Sequence, residues 1–188
     1  MSSSGRFVTV SYDDDDVILG NISFSAPNTL IGTGLNVFFL DGYQSVQGQL
    51  NGTVGSPERA TIDGYASVTT LVRYNQFSDS GAQLSQISGT YTEVFGEITT
   101  SLTIASDGTI TGSDTTGCAV NGAATIPNPQ YNVLEIDFTA ANCGGIPGAT
   151  ANQRNGDYST LGDYDQSTNQ LALGGTNGDV TLIFFGTK

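Results

Sequence analysis

The sequence contains no histidine and no tryptophan, and basic residues are few. Without histidine the chain lacks the usual general base and the commonest transition-metal ligand of proteins. Catalysis by serine–histidine or cysteine–histidine pairs is therefore excluded. Five Lys and Arg against 18 Asp and Glu give a net charge of -13. The five cations are scattered, so we expect no patch for phosphate groups and no nucleic-acid binding.

Long apolar runs are also missing from the sequence. No segment approaches the roughly 20 apolar residues of a membrane-spanning helix. Charged residues make up only 12% of the chain, whereas glycine occurs 25 times. Polarity comes mainly from Thr, Ser, Asn and Gln, as in many exported β-proteins whose turns need residues that tolerate positive φ.

The two cysteines are the most specific signal in the chain. Cys118 and Cys143 each lie in or just after a strand-like pattern. Neighbouring strands can bring two such side chains within disulfide reach, and persistent disulfides belong to oxidising compartments. We expect a structural disulfide; the alternatives are a buried reduced pair and a redox site.

Period-two alternation of apolar and polar residues runs through most of the chain and predicts strands. It extends over Tyr43–Val54 and over Ala60–Val72, each of which we interpret as one long strand. The segment 74–88 breaks the pattern and is predicted to be a long loop or a lid; a domain boundary is the alternative, although neither half of the chain looks large enough to close a core alone. Eight shorter strands are predicted in the second half: Gly89–Phe95, Glu97–Ala105, Thr109–Ser113, Cys118–Ile126, Tyr131–Thr139, Gly156–Tyr164, Asn169–Leu173 and Asp179–Phe185.

These strands predict an all-β fold, an antiparallel β-barrel of about 8–12 strands, with a β-sandwich as the alternative. We expect residues 1–16, which include the acidic run Asp13–Asp16, to form a disordered or extended lead-in. Residues 17–188 are expected to form a single barrel domain.

A family resemblance emerges from the order of short motifs in the second half. Gly89-Thr90-Tyr91 comes first, followed by Ser101–Gly112, Gly117–Gly122, Asn142-Cys143 and Gly156-Asp157-Tyr158. This order resembles bacterial envelope lipoproteins that carry a small calycin- or lipocalin-like barrel. The start, Met1-Ser2-Ser3-Ser4-Gly5, resembles a mature lipoprotein in which Met1 replaces the lipidated cysteine. The resemblance implies a cell-envelope location (periplasm or outer membrane, lipid-anchored) or secretion, with membrane contact only through a lipid anchor.

Candidate site residues are aromatic or acidic. A ligand inside or at the mouth of the barrel would contact aromatic side chains: Phe38, Tyr43, Tyr65, Tyr91, Tyr131 and Tyr158. Oxygen ligands for a hard cation are weaker candidates: Asp13, Asp15, Asp163 and Asp165. A solvated acidic tail for the first two and a plain hairpin turn for the last two are the favoured explanations. We expect no catalytic residues, no metal and no cofactor.

The leading functional prediction is a non-enzymatic barrel protein that binds a small apolar or amphipathic ligand. The alternative is a structural or interaction protein (surface, adhesion or inhibitor-like) whose barrel is filled by its own side chains. A carboxylate-based hydrolase is the remote alternative, because Glu93 and Glu97, or Glu135 and Asp137, are closely spaced acids.

Overall fold

A computed structural model gives an all-β protein that divides into two compact units, Met1–Ser78 and Asp79–Lys188. The structure describes residue 2 and residues 4–11, 16–38, 44–65 and 67–188, some of them through the backbone alone. The expectations for Met1, Asp13, Asp15 and Tyr43 lie outside the described residues, as does the side chain of Phe38.

The first unit is a six-stranded antiparallel sheet in which each strand pairs with the next along the chain. Its strands are β1 Arg6–Ser11, β2 Asp16–Ala26, β3 Thr29–Phe38, β4 Gln44–Ser56, β5 Arg59–Gly64 and β6 Ser67–Val72. The sheet curls, and one face buries Phe7, Ile22, Leu30 and Leu50 as its core. Alternation places these four residues, one from each of β1 to β4, on the same side of the sheet.

The segment Ala60–Val72 is a hairpin, which corrects our interpretation of it as one strand. β5 and β6 pair from Arg59 with Val72 to Gly64 with Ser67, so only two residues form the turn. Tyr65, the first of them, has a φ of 54°. The turn lacks the Asn-Gly or Asp-Gly that usually marks such a hairpin, and the alternation continues through it.

The second unit is a closed barrel of eight antiparallel strands, each paired with its chain neighbour, with β14 returning to β7. The strands are β7 Gly89–Phe95, β8 Ile98–Ile104, β9 Thr109–Asp114, β10 Ala119–Thr125, β11 Leu134–Ala141, β12 Gly156–Asp165, β13 Gln170–Thr176 and β14 Thr181–Thr187. The predicted antiparallel barrel is confirmed, and each of its strands overlaps one of the eight predicted from the second half of the sequence.

The domain boundaries differ from those predicted from the sequence. The barrel consists only of the strands from Gly89 onward, whereas the strands up to Val72 form a separate sheet. Residues 6–11, assigned to the lead-in, form β1 and pair with β2. The period-two pattern does not show which strands share a sheet, because the alternation within a strand is independent of the strand it pairs with.

Three short helices interrupt the described strands: α1 Asn75–Ser78, α2 Leu84–Ile87 and α3 Ala151–Arg154. The first two occupy the predicted loop 74–88. Thr150 caps α3 through a reciprocal hydrogen-bond pair with Gln153, which ends the preceding irregular segment in a defined conformation.

Candidate functional site

The barrel interior is filled by its own side chains. Each strand contributes at least one inward residue that is no more than 6% exposed: Tyr91, Ile104, Ile110, Ala124, Ile136, Tyr164, Leu171 and Phe184. Eight strands enclose just enough space for such side chains, or for one small ligand if the side chains are small. Here the inward residues are mostly large, so the barrel's centre is a packed core.

One end of the barrel is covered by α2, and we call it the α2 end. Ile87 of α2 is buried, and its carbonyl accepts a hydrogen bond from the Tyr91 hydroxyl. The ammonium of Lys188 lies 4.8 Å from the ring centroid of Tyr164 and donates to the Gln86 carbonyl at 2.8 Å. Part of the predicted loop or lid segment therefore packs on the barrel in the conformation described.

The opposite end carries the two cysteines, and we call it the disulfide end. The sulfur atoms of Cys118 and Cys143 lie at disulfide-bonding distance, as the sequence predicts. Cys118 precedes β10 and Cys143 follows β11, which is paired with it. The bond therefore joins neighbouring strands at the same end of the barrel.

A buried ion pair adjoins the disulfide. Nη2 of Arg154 lies 2.6 Å from Oδ2 of Asp114, whose side chain is only 4% exposed. Burial opposes ionisation of Asp114, but hydrogen bonds from Thr116, Arg154 and Cys118 outweigh it and lower the pKa of the carboxyl. Sequence reasoning missed this pair; the signal was an acid shortly before Cys118 and one of the chain's few cations after Cys143.

The predicted aromatic ligand residues do not form one cluster among the described side chains. Tyr91 is fully buried in the barrel core. Tyr158 stacks on Phe138 with ring centroids 5.0 Å apart, and its hydroxyl donates to the Arg154 carbonyl. Tyr131 is 40% exposed. Tyr65 belongs to the other unit, where it lines a small hollow.

This hollow lies within the curl of the six-stranded sheet, and its volume is about 40 Å³. Its walls come from both edge strands and from strands between them, including Phe7, Ile18, Leu50, Ile62 and Leu71. No charged side chain is among its described lining residues. Pockets for drug-sized ligands are commonly 300–1,000 Å³, so the hollow has room for a small apolar group alone.

Tyr65 reaches across the hollow from the β5–β6 turn. Its hydroxyl donates to the Gly34 carbonyl, and its ring lies over Gly48, where an added Cβ would be 2.8 Å from the ring. Gly34 and Gly48 pair directly across β3 and β4. The absence of side chains at these two positions creates the space that Tyr65 occupies.

Asp163, Asp165 and Glu93 also have shifted pKa values, each for a different physical reason. Burial, with a contribution from Asp165, raises the pKa of Asp163 to about 6. Asp165 has its pKa lowered by hydrogen bonds from Ser167. Burial raises the pKa of Glu93, partly offset by a hydrogen bond from the Phe185 amide at 2.9 Å. The strands β7 and β14 close the barrel, and their backbones pair only at Thr92 and Thr187. The hydrogen bond from the Phe185 amide to the Glu93 carboxylate is a further link between these two strands.

Within the described part of the chain, no group of three or more His, Cys, Asp or Glu residues is placed to hold a metal ion. Nor is any helix of that part long and apolar enough to cross a membrane. Comparison with protein-family models, curated proteins and solved structures finds no match for this chain.

Proposed function

We propose that this protein is a non-enzymatic interaction protein, in which the filled barrel is a rigid scaffold. The observation that carries the proposal is the occupied barrel interior, with Tyr91, Ile136 and Leu171 fully buried on its inward face. A carrier of small molecules needs an enclosed apolar volume, and these side chains take up that volume.

Exposed apolar side chains support the same proposal. Val68 and Val72 of β6 are 65% and 64% exposed, and Val94 and Phe95 at the end of β7 are 69% and 79% exposed. Exposed apolar groups that cluster on one element are typical of surfaces that bind another molecule. The high net charge keeps the rest of the surface soluble.

A second candidate is the binding of a small apolar group in the hollow of the sheet. The uncharged lining and the position of Tyr65 favour it. The occupant would have to be close in size to a side chain, because about 40 Å³ is free. In this candidate Tyr65 contacts the ligand, as predicted, but the binding site lies in the six-stranded sheet and not in the barrel.

We also propose that the protein works in an oxidising compartment, as an envelope or secreted protein. The cysteine pair supports this location, since persistent disulfides are rare in reducing compartments. The motif order that resembles bacterial envelope lipoproteins supports it as well.

Native mass spectrometry of the unreduced protein, alone and after incubation with lauric acid, tests the proposed function. We expect a polypeptide mass two hydrogens below that of the reduced chain and no retained fatty acid. A stoichiometric adduct would overturn the scaffold role. Lauric acid is too large for the hollow, so xenon tests the second candidate. If xenon raised the melting temperature of the wild type and of Ile136→Val but not of Ile62→Arg in the hollow, the second candidate would replace the first.

A further inference from the structure

The strand β6 is an exposed edge of the sheet in the part of the chain that the structure describes. It lies at the end of the sheet order, and no described strand pairs with its outer side. Residues 68–72 are all exposed. The strand Ser67–Val72 contains no charged residue and no proline. Natural edge strands usually carry such residues, because a bare edge is a template for another chain.

The outward backbone groups of β6 can be assigned from its pairing with β5. Gly64 and Ser67 flank a two-residue turn and so form a hydrogen-bonded pair. Beyond the other end of the strand, the Arg73 amide donates to the Glu58 carbonyl at 2.9 Å. Odd-numbered residues therefore bond to β5, and the amides and carbonyls of Val68, Thr70 and Val72 point to the open side.

The other edge of the sheet, β1, is partly protected. The Ser2 amide donates to the Arg6 carbonyl at 2.8 Å, and Ser2 itself is 5% exposed. The Ile22 amide donates to the Gly5 carbonyl, so Gly5 is a residue that bonds to β2. The carbonyl of the next residue, Arg6, therefore points away from β2, toward the open side of the sheet. The chain thus covers the beginning of β1 itself, whereas β6 has no such cover among the described residues.

The hollow lies beside the open edge. Leu71 and Thr69 of β6 form one of its walls, and Phe7 and Thr9 of β1 form another. A strand added to β6 would direct every second side chain toward this apolar space. Its remaining side chains would lie on the face that carries the exposed Val68 and Val72.

We propose that β6 binds an extended segment of a basic polypeptide by strand addition, with small apolar side chains of that segment entering the hollow. This inference deepens the proposed interaction function and rests on it. Hydrogen bonds to the β6 backbone would supply affinity, and the hollow would supply selectivity. The net charge of -13 favours a cationic partner and disfavours pairing with a second copy of this chain.

Fluorescence anisotropy with a labelled synthetic peptide tests the inference. The probe alternates Val and Thr between pairs of terminal lysines, and a matched peptide carries glutamates in place of the lysines. We expect saturable one-to-one binding of the lysine peptide and at least about tenfold weaker binding of the glutamate peptide.

Two variants of the full chain test the binding edge. Thr70→Pro removes an outward amide without removing a bond to β5, and proline is tolerated on the solvent side of edge strands. We expect it to weaken peptide binding about tenfold or more. Thr70→Val keeps the amide and the shape of the side chain, so it should bind as the wild type does.

Hydrogen exchange of the wild-type chain provides a measurement that needs no variant. The peptide should slow exchange at the amides of Val68, Thr70 and Val72 and leave inward amides such as that of Leu71 nearly unchanged. Equal binding to Thr70→Pro, or no added protection at these amides, would overturn the strand-addition site. Protection that grows with protein concentration alone would instead identify a second copy as the occupant.

Failure of this inference is distinguishable from failure of the proposed function. Absence of peptide binding together with absence of a fatty-acid adduct would overturn the β6 site and leave the interaction function at another surface. A stoichiometric fatty-acid adduct would overturn the interaction function whatever the peptide does.

Discussion

The aromatic ring of Tyr65 lies against the backbone of Gly48, with Cε1 only 2.8 Å from the position that a Cβ on Gly48 would occupy. This contact links the β5–β6 turn to the middle of β4. It also explains how a tyrosine is held at a φ of 54°, a conformation that non-glycine residues seldom adopt.

Gly48→Ala should therefore lower the free energy of unfolding by about 1–3 kcal/mol, because the new methyl group overpacks against the ring. In a Tyr65→Ala background the same change should be neutral or slightly stabilising, since alanine loses less backbone entropy than glycine. Urea unfolding of the four chains measures this coupling. Gly55→Ala is the control, because its Cβ would meet nothing closer than 3.9 Å.

Asp114→Asn should destabilise the barrel by about 2–4 kcal/mol, because it leaves the Arg154 guanidinium without its buried counter-charge. The pKa of Asp114 is lowered in the folded state. Its stabilising contribution is thus complete above the unfolded-state pKa of about 4 and is lost as the pH falls through the folded-state value. Chemical unfolding at neutral and acidic pH measures both effects. Asp179→Asn, at an exposed position, is the control. Equal stability of the two variants at neutral pH would contradict the stabilising role of the Asp114–Arg154 ion pair.

Asp163 should produce a pH dependence of the opposite sign. Its pKa is raised to about 6 in the folded state, so the folded chain holds the proton more tightly than the unfolded chain. This stabilisation is complete below the unfolded-state pKa of about 4 and is lost as the pH rises through the folded-state value, a total fall of about 2–3 kcal/mol. Asp163→Asn should remove this loss, whereas Asp157→Asn on the same strand should retain it. A pH profile unchanged by Asp163→Asn would refute the assignment.

The disulfide closes a loop with a sequence separation of 25. Replacing both cysteines by alanine should lower the free energy of unfolding by about 3 kcal/mol. A reducing agent should destabilise the wild type to a similar extent and leave the double variant unchanged. If the reductant had no effect on wild-type unfolding, the cysteines would not be bonded in solution.

Tyr91→Ala should open an apolar cavity in the barrel and cost about 3–5 kcal/mol. A cavity of this kind takes up small apolar molecules such as benzene or xenon. We expect benzene to raise the melting temperature of this variant and to leave that of the wild type unchanged. An equal response of the two chains would mean that the wild-type barrel already contains accessible space.

Prediction from sequence worked well for the barrel because its turns are marked locally. Ser106-Asp107-Gly108 separates β8 from β9, and the Asp107 carboxylate accepts the Thr109 amide at 2.9 Å, so the turn signal and the hydrogen bond coincide. It worked less well for the sheet. β3 contains Gly32 and Gly34, which interrupt its apolar face, and the β5–β6 turn has no strong turn residue.

The candidate sites were only partly predictable. Aromatic residues could be selected as ligand candidates, but their burial depends on which strand pairs with which. Tyr91 and Tyr158 became core residues, and Tyr65 became part of a hollow. The exposed edge of β6 could not be inferred, since a strand at an edge and one in the middle of a sheet can share the same alternation.

The sequence by itself determined the strand content, the antiparallel barrel and the cysteine pairing, because alternation and turn residues act over a few positions. It also excluded histidine-based catalysis through composition alone, and its few scattered cations predict no basic surface for nucleic acid. Tertiary structure decided how the strands divide between a sheet and a barrel and that side chains fill the barrel. It also left β6 without a neighbour on its outer side among the described strands. Those features depend on contacts between residues far apart in the chain, and such contacts cannot be inferred from the local pattern of apolar and polar residues.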